Sequence, residues 1–568
     1  MPDSKTSFSE ISPSEFFYRN RDLAGFSNPA RALYSAVREL VENSLDACEA
    51  YSIHPDIYVR ITAPEVSPSR TDSNHYLLKV LDNGPGVDAK HISRAFGRVF
   101  FGSKYELKQA RGMFGLGGTM AILYGQITTN KPVVIRSSTD GKTLEVIHMM
   151  IDIQTNSPII LRRESLPANG STGTSVEVTL EGDYPRASIK IQEYFKQTAL
   201  VNPYANITVV DPQGKLSFYE KATQQLPTPP KETLPHPHGT DVEALRRIIK
   251  QSKSPNMLKF LCKNFHRVGD RIASKFLDFA KIDPTMSPDQ LSNEDIVTLT
   301  DALHNFEEFL QPDGSCLSPL GEEIMKTGIM KELDPEFVVV SVRPPAAYSG
   351  FPFIVEVGLV YGSKQLGQGL QLLRFANRIP LLYDEGNDVS WKVMNEEIDW
   401  KRYRIPQDAP LAIITHVCST KIPYKTVGKE YLADRIEVER EIKNAIRDVL
   451  RKVYSYLSHK GSLEMVKRKT NIYSHFLPLI AKFSQDLSGA EALPRYKKLL
   501  ESRGMKDSET NTPETNTPET NTPETNTPEK EQSEPDTKPL EDEEQKDGKK
   551  ILRFKKEGQL TLEEFADE

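Results

Sequence analysis

Residues 29–50, PARALYSAVRELVENSLDACEA, restrict the fold more than any other stretch, because they load one helix with two kinds of chemistry. Leu33, Val37, Leu40, Val41, Leu45 and Cys48 fall within about 140° of arc at about 100° per residue, a stripe that demands a packed core. Glu39, Asn43 and Asp46 share about 60° on the opposite side. Any polar residues keep a helix solvated, and most charged faces do no more than that. An acid and an amide at i and i+4 do offer something further, a carboxylate and a carboxamide oxygen aimed at one point. Such a carboxylate can orient and deprotonate a water that attacks a phosphate. The amide oxygen is a hard, neutral ligand suited to Mg²⁺ carried in on phosphates.

At 568 residues the chain is too long for one core. Residues 1–228 read as an α/β domain: the helix, a strand HYLLKVL ending at Asp82, a glycine-rich stretch 112–118, and strands KPVVIRSS, TLEVIHMMID and TSVEVTL. The proline-rich QQLPTPPKETLPHPHG (224–239) suits neither regular structure and marks a boundary. In a domain 229–315 residues 240–310 read as helical, and in a domain 316–500 strands EFVVVSV, PFIVEVGLVYG and PLAIITHVC return over about 316–435 before a long helix 434–460. Residues 501–550, with four TNTPE units, form a disordered acidic linker ahead of a short motif at 551–568. From Lys506 to Lys550 stand 14 acidic and 6 basic residues, so the net charge of −7 leaves the remainder near +1, which is compatible with basic patches. Four scattered cysteines make neither a zinc site nor a disulfide framework. No apolar run approaches the roughly 20 residues of a membrane span, so a cytoplasmic protein is expected.

Three further elements can carry chemistry. Asp82, at a strand end in LDNGPGV, is an acceptor for an exocyclic amine, and Gly84 and Gly86 let backbone approach a flat ring; a plain D-N-G turn is the alternative. RGMFGLGG (111–118) puts bare amides at a helix start, where phosphate oxygens bind. GSTGTSVEV places Gly173-Thr174 before a strand. Taken in order, E-x-x-x-N, D-x-G-x-G, G-x-x-G-x-G and G-T resemble the ATPase superfamily of gyrase, heat-shock chaperone, histidine kinase and MutL, and no Walker P-loop is present. The resemblance implies a Bergerat-type α/β sandwich binding ATP and Mg²⁺. In it Glu39 is the general base, Asn43 holds the metal and Asp82 receives the adenine amine. Gly112, Met113, Phe114, Gly115, Leu116, Gly117, Gly118 and Thr119 form a lid over the phosphates. Ser103 and Lys104 match lid-side contacts, and Thr174 supports adenine.

FFYRNRDLAGFSNPARALYSAVRELVENSLDA, RPPAAYSGFPFIVEVGL, RFANRIPLLYD and STKIPYKTVGKEYLAD resemble the B subunit of DNA topoisomerase VI, from about residue 10 to 500. That resemblance implies an α+β multidomain chain: an ATP-binding domain with an N-terminal strap, a helix–two-turns–helix domain, and a transducer with a right-handed crossover whose long helix runs toward an A subunit. It further implies a heterotetramer A2B2, B subunits that dimerise on ATP, double-stranded DNA as substrate, and a nucleoid-associated archaeal protein. A transducer lysine reaches the γ-phosphate, Lys429 by preference and Lys425 as the alternative. DNA-contact candidates are Lys263, Arg267 and Arg271 in the basic stretch 256–277, where a plain amphipathic helix is the alternative, and Trp400, Lys401 and Tyr403 in DWKRYRI, where a strand with aromatics facing a core is the alternative. No DxD cluster occurs, so cleavage of DNA is expected of a separate A subunit. Gln559, Leu562 and Phe565 resemble a sliding-clamp-binding peptide. The rivals are a MutL-like repair clamp, which lacks the long family segments, and a non-catalytic recombination scaffold, whose nucleotide boxes tend to be lost.

Overall fold

The Asn28 side chain accepts a hydrogen bond from the Arg31 amide and Pro29 follows with its preset φ, so helix Pro29–Ala50 starts as capping chemistry dictates. It belongs to a computed structural model that describes residues 10–63, 74–102, 107–112, 115–406, 408–426, 428–489 and 491–496. Ser103, Lys104, Met113, Phe114, Gln559, Leu562 and Phe565 lie outside the described residues. The chain divides into two compact units, Met1–Tyr456 and Leu457–Glu568.

In the first unit, eight strands make one sheet: β1 (Asp56–Thr62), β2 (His75–Leu81), β3 (Val133–Ser138), β4 (Thr143–Asp152), β5 (Ser157–Pro167), β6 (Gly173–Glu181), β7 (Asn206–Val210) and β8 (Leu216–Tyr219). Their order is β5-β4-β3-β6-β2-β1-β7-β8, antiparallel except for the parallel pair β1–β7. Burial alternates along β1 and β2 as one covered face requires. Helices Pro29–Ala50, Gly117–Thr129 and Tyr184–Val201 cover that face, and Leu33, Val37 and Leu40 pack with Ile57, Val59, Leu78 and Val178. Each such side chain contributes about 1.5–3 kcal/mol by leaving water.

Short helices Val242–Gln251, Met257–Asn264, Asp270–Ala280 and Asn293–Asn305 enclose a separate apolar core of Leu261, Phe265, Phe276 and Leu299. The basic stretch 256–277 is therefore two helices. Phe265 and Val268 turn inward between them, and Arg267 adopts a left-handed φ of 58°. A second sheet follows, with β9 (Phe337–Val342), β10 (Ala346–Tyr348), β11 (Phe351–Tyr361), β12 (Leu370–Ala376), β13 (Ile379–Pro380) and β14 (Leu411–Ser419). Its order is β10-β11-β14-β12-β13, with β9 also on β11, and β12 and β14 are a parallel pair joined by the crossover 377–410. β14 is buried along its whole length, as a strand covered on both faces must be. Helix Gly321–Leu333 packs on this sheet and against helix Tyr184–Val201, so closely that a Cβ on Gly328 would stand 1.9 Å from the Leu200 carbonyl.

The final helix runs Ile436–Ser488, well beyond the expected 434–460, and carries Pro478 inside it. Val438, Ile442, Ile446 and Val449 are fully buried in the first unit, and Tyr456 stacks on Phe337 at 4.3 Å. In the second unit, Leu463, Met465, Val466, Ile472, Phe476, Leu479, Ile480, Phe483 and Leu487 are exposed. With no cover among the described residues, they give little sequence sign of where the helix stops. Residues 400–403 form a 3-10 turn, not a strand.

Candidate nucleotide-binding site

Helix Pro29–Ala50 is buried nearly all round: Arg38, Glu39, Glu42, Ser44 and Glu49 are as enclosed as its apolar stripe. The polar side faces protein and a cavity of about 840 Å³ rather than bulk water. Asn43, Asp46, Asp82, Gly86, Gly115, Thr119 and Thr174 line that cavity. β2 ends at Leu81 and delivers Asp82 to its wall, where one carboxylate oxygen accepts from the Gly84 amide (3.0 Å) and the Thr174 amide (3.1 Å) and the other from the Ser44 hydroxyl (2.9 Å). Burial pushes the Asp82 carboxyl up, against these donors. Asn83 beside it ties the D-N-G segment to the start of β1, accepting from the Asp56 amide and donating to the His54 carbonyl. Gly86 has φ 74°, and a Cβ there would lie 2.1 Å from the Ser138 carbonyl oxygen, so no other residue fits.

The three polar residues grouped by helical spacing differ in their partners. Asn43 and Asp46 line the cavity, but Asp46 is occupied by Arg111, whose guanidinium donates to it at 3.0 Å. Glu39 does not line the cavity. Its carboxylate lies beneath the start of helix Gly117–Thr129, where a Cβ on Gly117 would fall 1.6 Å from its Oε2, and a Cβ on Gly118 would lie 2.9 Å from Asn43 Nδ2. Gly117→Ala must therefore eject a carboxylate that two cations hold in place. ATP turnover by that variant is expected to fall at least about 100-fold, the scale of a lost positioned base, as measured by steady-state phosphate release.

The two cations are Arg38, which donates to Glu39 at 2.7 Å, and Lys429, whose Nζ lies 3.3 Å from both Glu39 oxygens and 3.0 Å from Glu42. Arg38 also donates to the Gly428 carbonyl at 3.0 Å, and Arg31 pairs with Glu430. The loop after β14 is thereby clamped to the helix by two acids and two cations, a neutral and buried group. Burial pushes the Glu39 carboxyl up, but Lys429 and Arg38 outweigh it and bring it down to about 2. Burial pulls the Lys429 ammonium down, and Glu39 and Glu42 more than reverse this. Lys425, by contrast, is exposed.

Arg38 and Glu42 were not singled out from the sequence. The signal was available: they are an i,i+4 opposite-charge pair flanking the acid. The DNA-contact candidates lie elsewhere. Lys263, Arg267 and Arg271 are exposed, with Arg267 donating to the Gln311 carbonyl. Lys401 is exposed on the 3-10 turn, while Trp400 and Tyr403 are half-buried, the Trp400 indole donating to the Met394 carbonyl. Among the described residues one cluster has metal-binding composition, buried Glu356, His416 and Cys418. The Glu356 oxygens accept from the Leu320 and Gly321 amides and from His416 Nδ1, while Nε2 accepts from the Arg378 amide. Its acid and imidazole are already engaged, so the cluster fastens a helix start and a turn and is poorly suited to an ion.

Residues 28–182 match the family described as histidine kinase-, DNA gyrase B-, and HSP90-like ATPase, so the fold and cavity belong to an ATPase domain of that class. Residues 312–469 match the topoisomerase VI B subunit transducer. The B subunit of type 2 DNA topoisomerase 6 from Saccharolobus islandicus is 42% identical over 483 residues, covering 84% of this chain and 90% of the relative, and that of Saccharolobus solfataricus gives the same figures. The chain belongs to this family, the B subunits of type 2 DNA topoisomerase 6. The ATPase region of Saccharomyces cerevisiae topoisomerase II is 11% identical at TM-score 0.37, covering 80% of this chain and 100% of that one, too loose a likeness to bear on function.

Proposed function

We propose that the chain is the ATP-binding and ATP-hydrolysing clamp subunit of a type II DNA topoisomerase. Together with an A subunit that cuts, it passes one duplex through a double-strand break in another, relaxing supercoils and separating linked circles. The observation that carries this reading is the approach of Lys429, from the second sheet's loop, to Glu39 beneath the glycine-flanked cavity. A single nucleotide phosphate entering there meets both domains at once.

In this reading Asp82, supported by Thr174 and Ser44, receives the adenine amine. Gly84 and Gly86 admit the ring, and Gly112 and Gly115 to Thr119 wrap the phosphates. Glu39 orients and deprotonates the attacking water, and Lys429 meets the γ-phosphate. The Asn43 carboxamide oxygen, half-buried at the cavity wall, fits Mg²⁺, which takes few protein ligands when phosphates supply the rest. Bound there, the ion would neutralise phosphate charge.

The finer organisation is also proposed: an ATP-binding domain 1–228, a helix–two-turns–helix domain 229–315, and a transducer 316–500, assembled as A2B2 with ATP-dependent pairing of B subunits. The exposed apolar residues from Leu463 to Leu487 supply a surface of the kind an A subunit would cover. Trp400, Lys401, Tyr403, Lys263, Arg267 and Arg271 are proposed to meet duplex DNA, most of them as phosphate contacts, which position without reading sequence. Among the described residues no helix is long and apolar enough to cross a membrane; a nucleoid location follows from the DNA substrate. ATPase rates with and without supercoiled DNA, and with and without the A subunit of the same organism, test the reading. Hydrolysis should rise with DNA, and relaxation should require ATP and both subunits. A rate indifferent to DNA would favour the repair-clamp or scaffold alternative.

A further inference from the structure

The turn joining β12 to β13 is made by two non-glycine residues with positive φ, Asn377 at 46° and Arg378 at 65°. Backbone of that kind persists only where its surroundings hold it. The second sheet does hold it. The Asn377 amide donates to the Val417 carbonyl and the Arg378 amide to His416 Nε2, while the Asn377 side chain both accepts from the Ser419 amide and donates to the Ser419 carbonyl. The turn is therefore a rigid outgrowth of β14, the strand that leads into the Lys429 loop.

Its other side grips the glycine lid where the lid begins. Asn377 Nδ2 donates to the Ala110 carbonyl at 3.1 Å. Arg378 lies 3.3 Å from Glu49 and donates to the Tyr204 hydroxyl at 3.1 Å and to Ser318 at 3.0 Å. Arg111, the next residue along the lid, brackets the same Glu49 carboxylate at 2.7 and 2.8 Å and reaches Asp46 and Asn202. Glu49 thus stands between one arginine from the lid root and one from the second sheet, all three buried. Both turn residues also line the cavity.

We propose that Asn377 and Arg378 are positioning residues that tie the transducer to the root of the glycine lid, a second linkage between nucleotide and transducer beside Lys429. The proposal rests on the ATPase reading above. A pull on Ala110 and Arg111 from phosphate bound at the cavity then reaches β14 through Asn377 and Arg378, without passing through the γ-phosphate contact.

The test uses the full chain assembled with its A subunit on supercoiled DNA, with ATP hydrolysed and duplex passages counted in the same reaction. Asn377→Ala and Arg378→Met are each expected to reduce passages per ATP about tenfold, inside the range of ordinary allosteric couplings. A merely structural role lowers the folded fraction and scales both counts together, leaving the ratio where it was. An unchanged ratio in both variants overturns the proposal. So does complete loss of hydrolysis in both, which would assign the turn to the pocket itself. A parent complex whose hydrolysis ignores DNA would sink the ATPase reading as well, which sets that failure apart from this one.

Discussion

Glu39→Gln is expected to lower ATP turnover by about 10²–10⁴-fold, the usual worth of a positioned general base. Nucleotide binding and nucleotide-driven pairing of B subunits should remain. The substitution keeps the side chain's size under Gly117, where the fit is too tight for anything larger. What it removes is the negative charge. In the structure that charge is held by Arg38 and Lys429, with a carboxyl pKa of about 2, so Glu39 is ionised but poorly basic. A base acts well when its pKa approaches the working pH, so the proposed role of Glu39 as base has Lys429, one of the two cations that lower its pKa, moving off it during turnover. Only a competing anion at the right distance can draw it away, and the γ-phosphate is such an anion. Glu39 would therefore gain basicity when substrate is in place and be quiet otherwise. Phosphate release measured alongside cross-linking of B subunits with a non-hydrolysable analogue separates the two functions. Turnover at the parental rate would remove Glu39 from the role of base.

Much of this site could be read from the chain because its parts are local. The helix at 29–50 follows from a capped, glycine-free amphipathic run, and the sequence places Asp82 and the glycine lid at an element boundary. The same reasoning left out what Glu39 pairs with. Helical spacing groups Glu39 with Asn43 and Asp46, but spacing knows nothing of Lys429, 390 residues on, which pairs with Glu39 beside Arg38. Asp46 has the spacing of a polar face and proves to be the partner of Arg111, 65 residues on. Long-range ion pairs leave no periodic trace, so the Glu49–Arg378 contact was invisible too. The helix to Ser488 was underestimated for a different reason: its exposed apolar residues have no covering partner among the described residues that would give them a pattern. Family resemblance supplied Lys429 over Lys425. Lys429 is buried and Lys425 exposed, and which of them meets the γ-phosphate stays part of the proposal.

Lys429→Ala should cost both activity and docking, and the two losses can be parted by a second substitution. Removing the ammonium leaves Glu39 and Glu42 with only Arg38, one uncompensated negative charge in a buried site. Stripping one partner from a buried ion group typically destabilises by about 3–5 kcal/mol. The loop 420–433 should therefore loosen from helix Pro29–Ala50, seen as faster amide exchange there, and hydrolysis should fall about 10²–10³-fold with loss of a donor to the transferring phosphate. Adding Glu42→Gln restores neutrality, with Arg38 facing Glu39. That double variant should recover the loop's protection and none of the hydrolysis. If it recovered both, Lys429 would be a structural clamp and nothing more, and Lys425 would have to be tried next. The pH dependence has a definite sign. Glu39 titrates below the ordinary carboxylate range when folded, so its contribution is complete above that range and fades as pH falls toward about 2. Lys429 titrates above the ordinary lysine range, so its contribution is complete below that range and fades as pH rises through its raised value. Burial raises the Glu42 carboxyl in the same cluster, so its ionisation costs stability as pH rises above the ordinary carboxylate range, and protection of the loop in the parent should be level only between that raised value and about pH 10. In Lys429→Ala the alkaline edge that belongs to the ammonium should be gone.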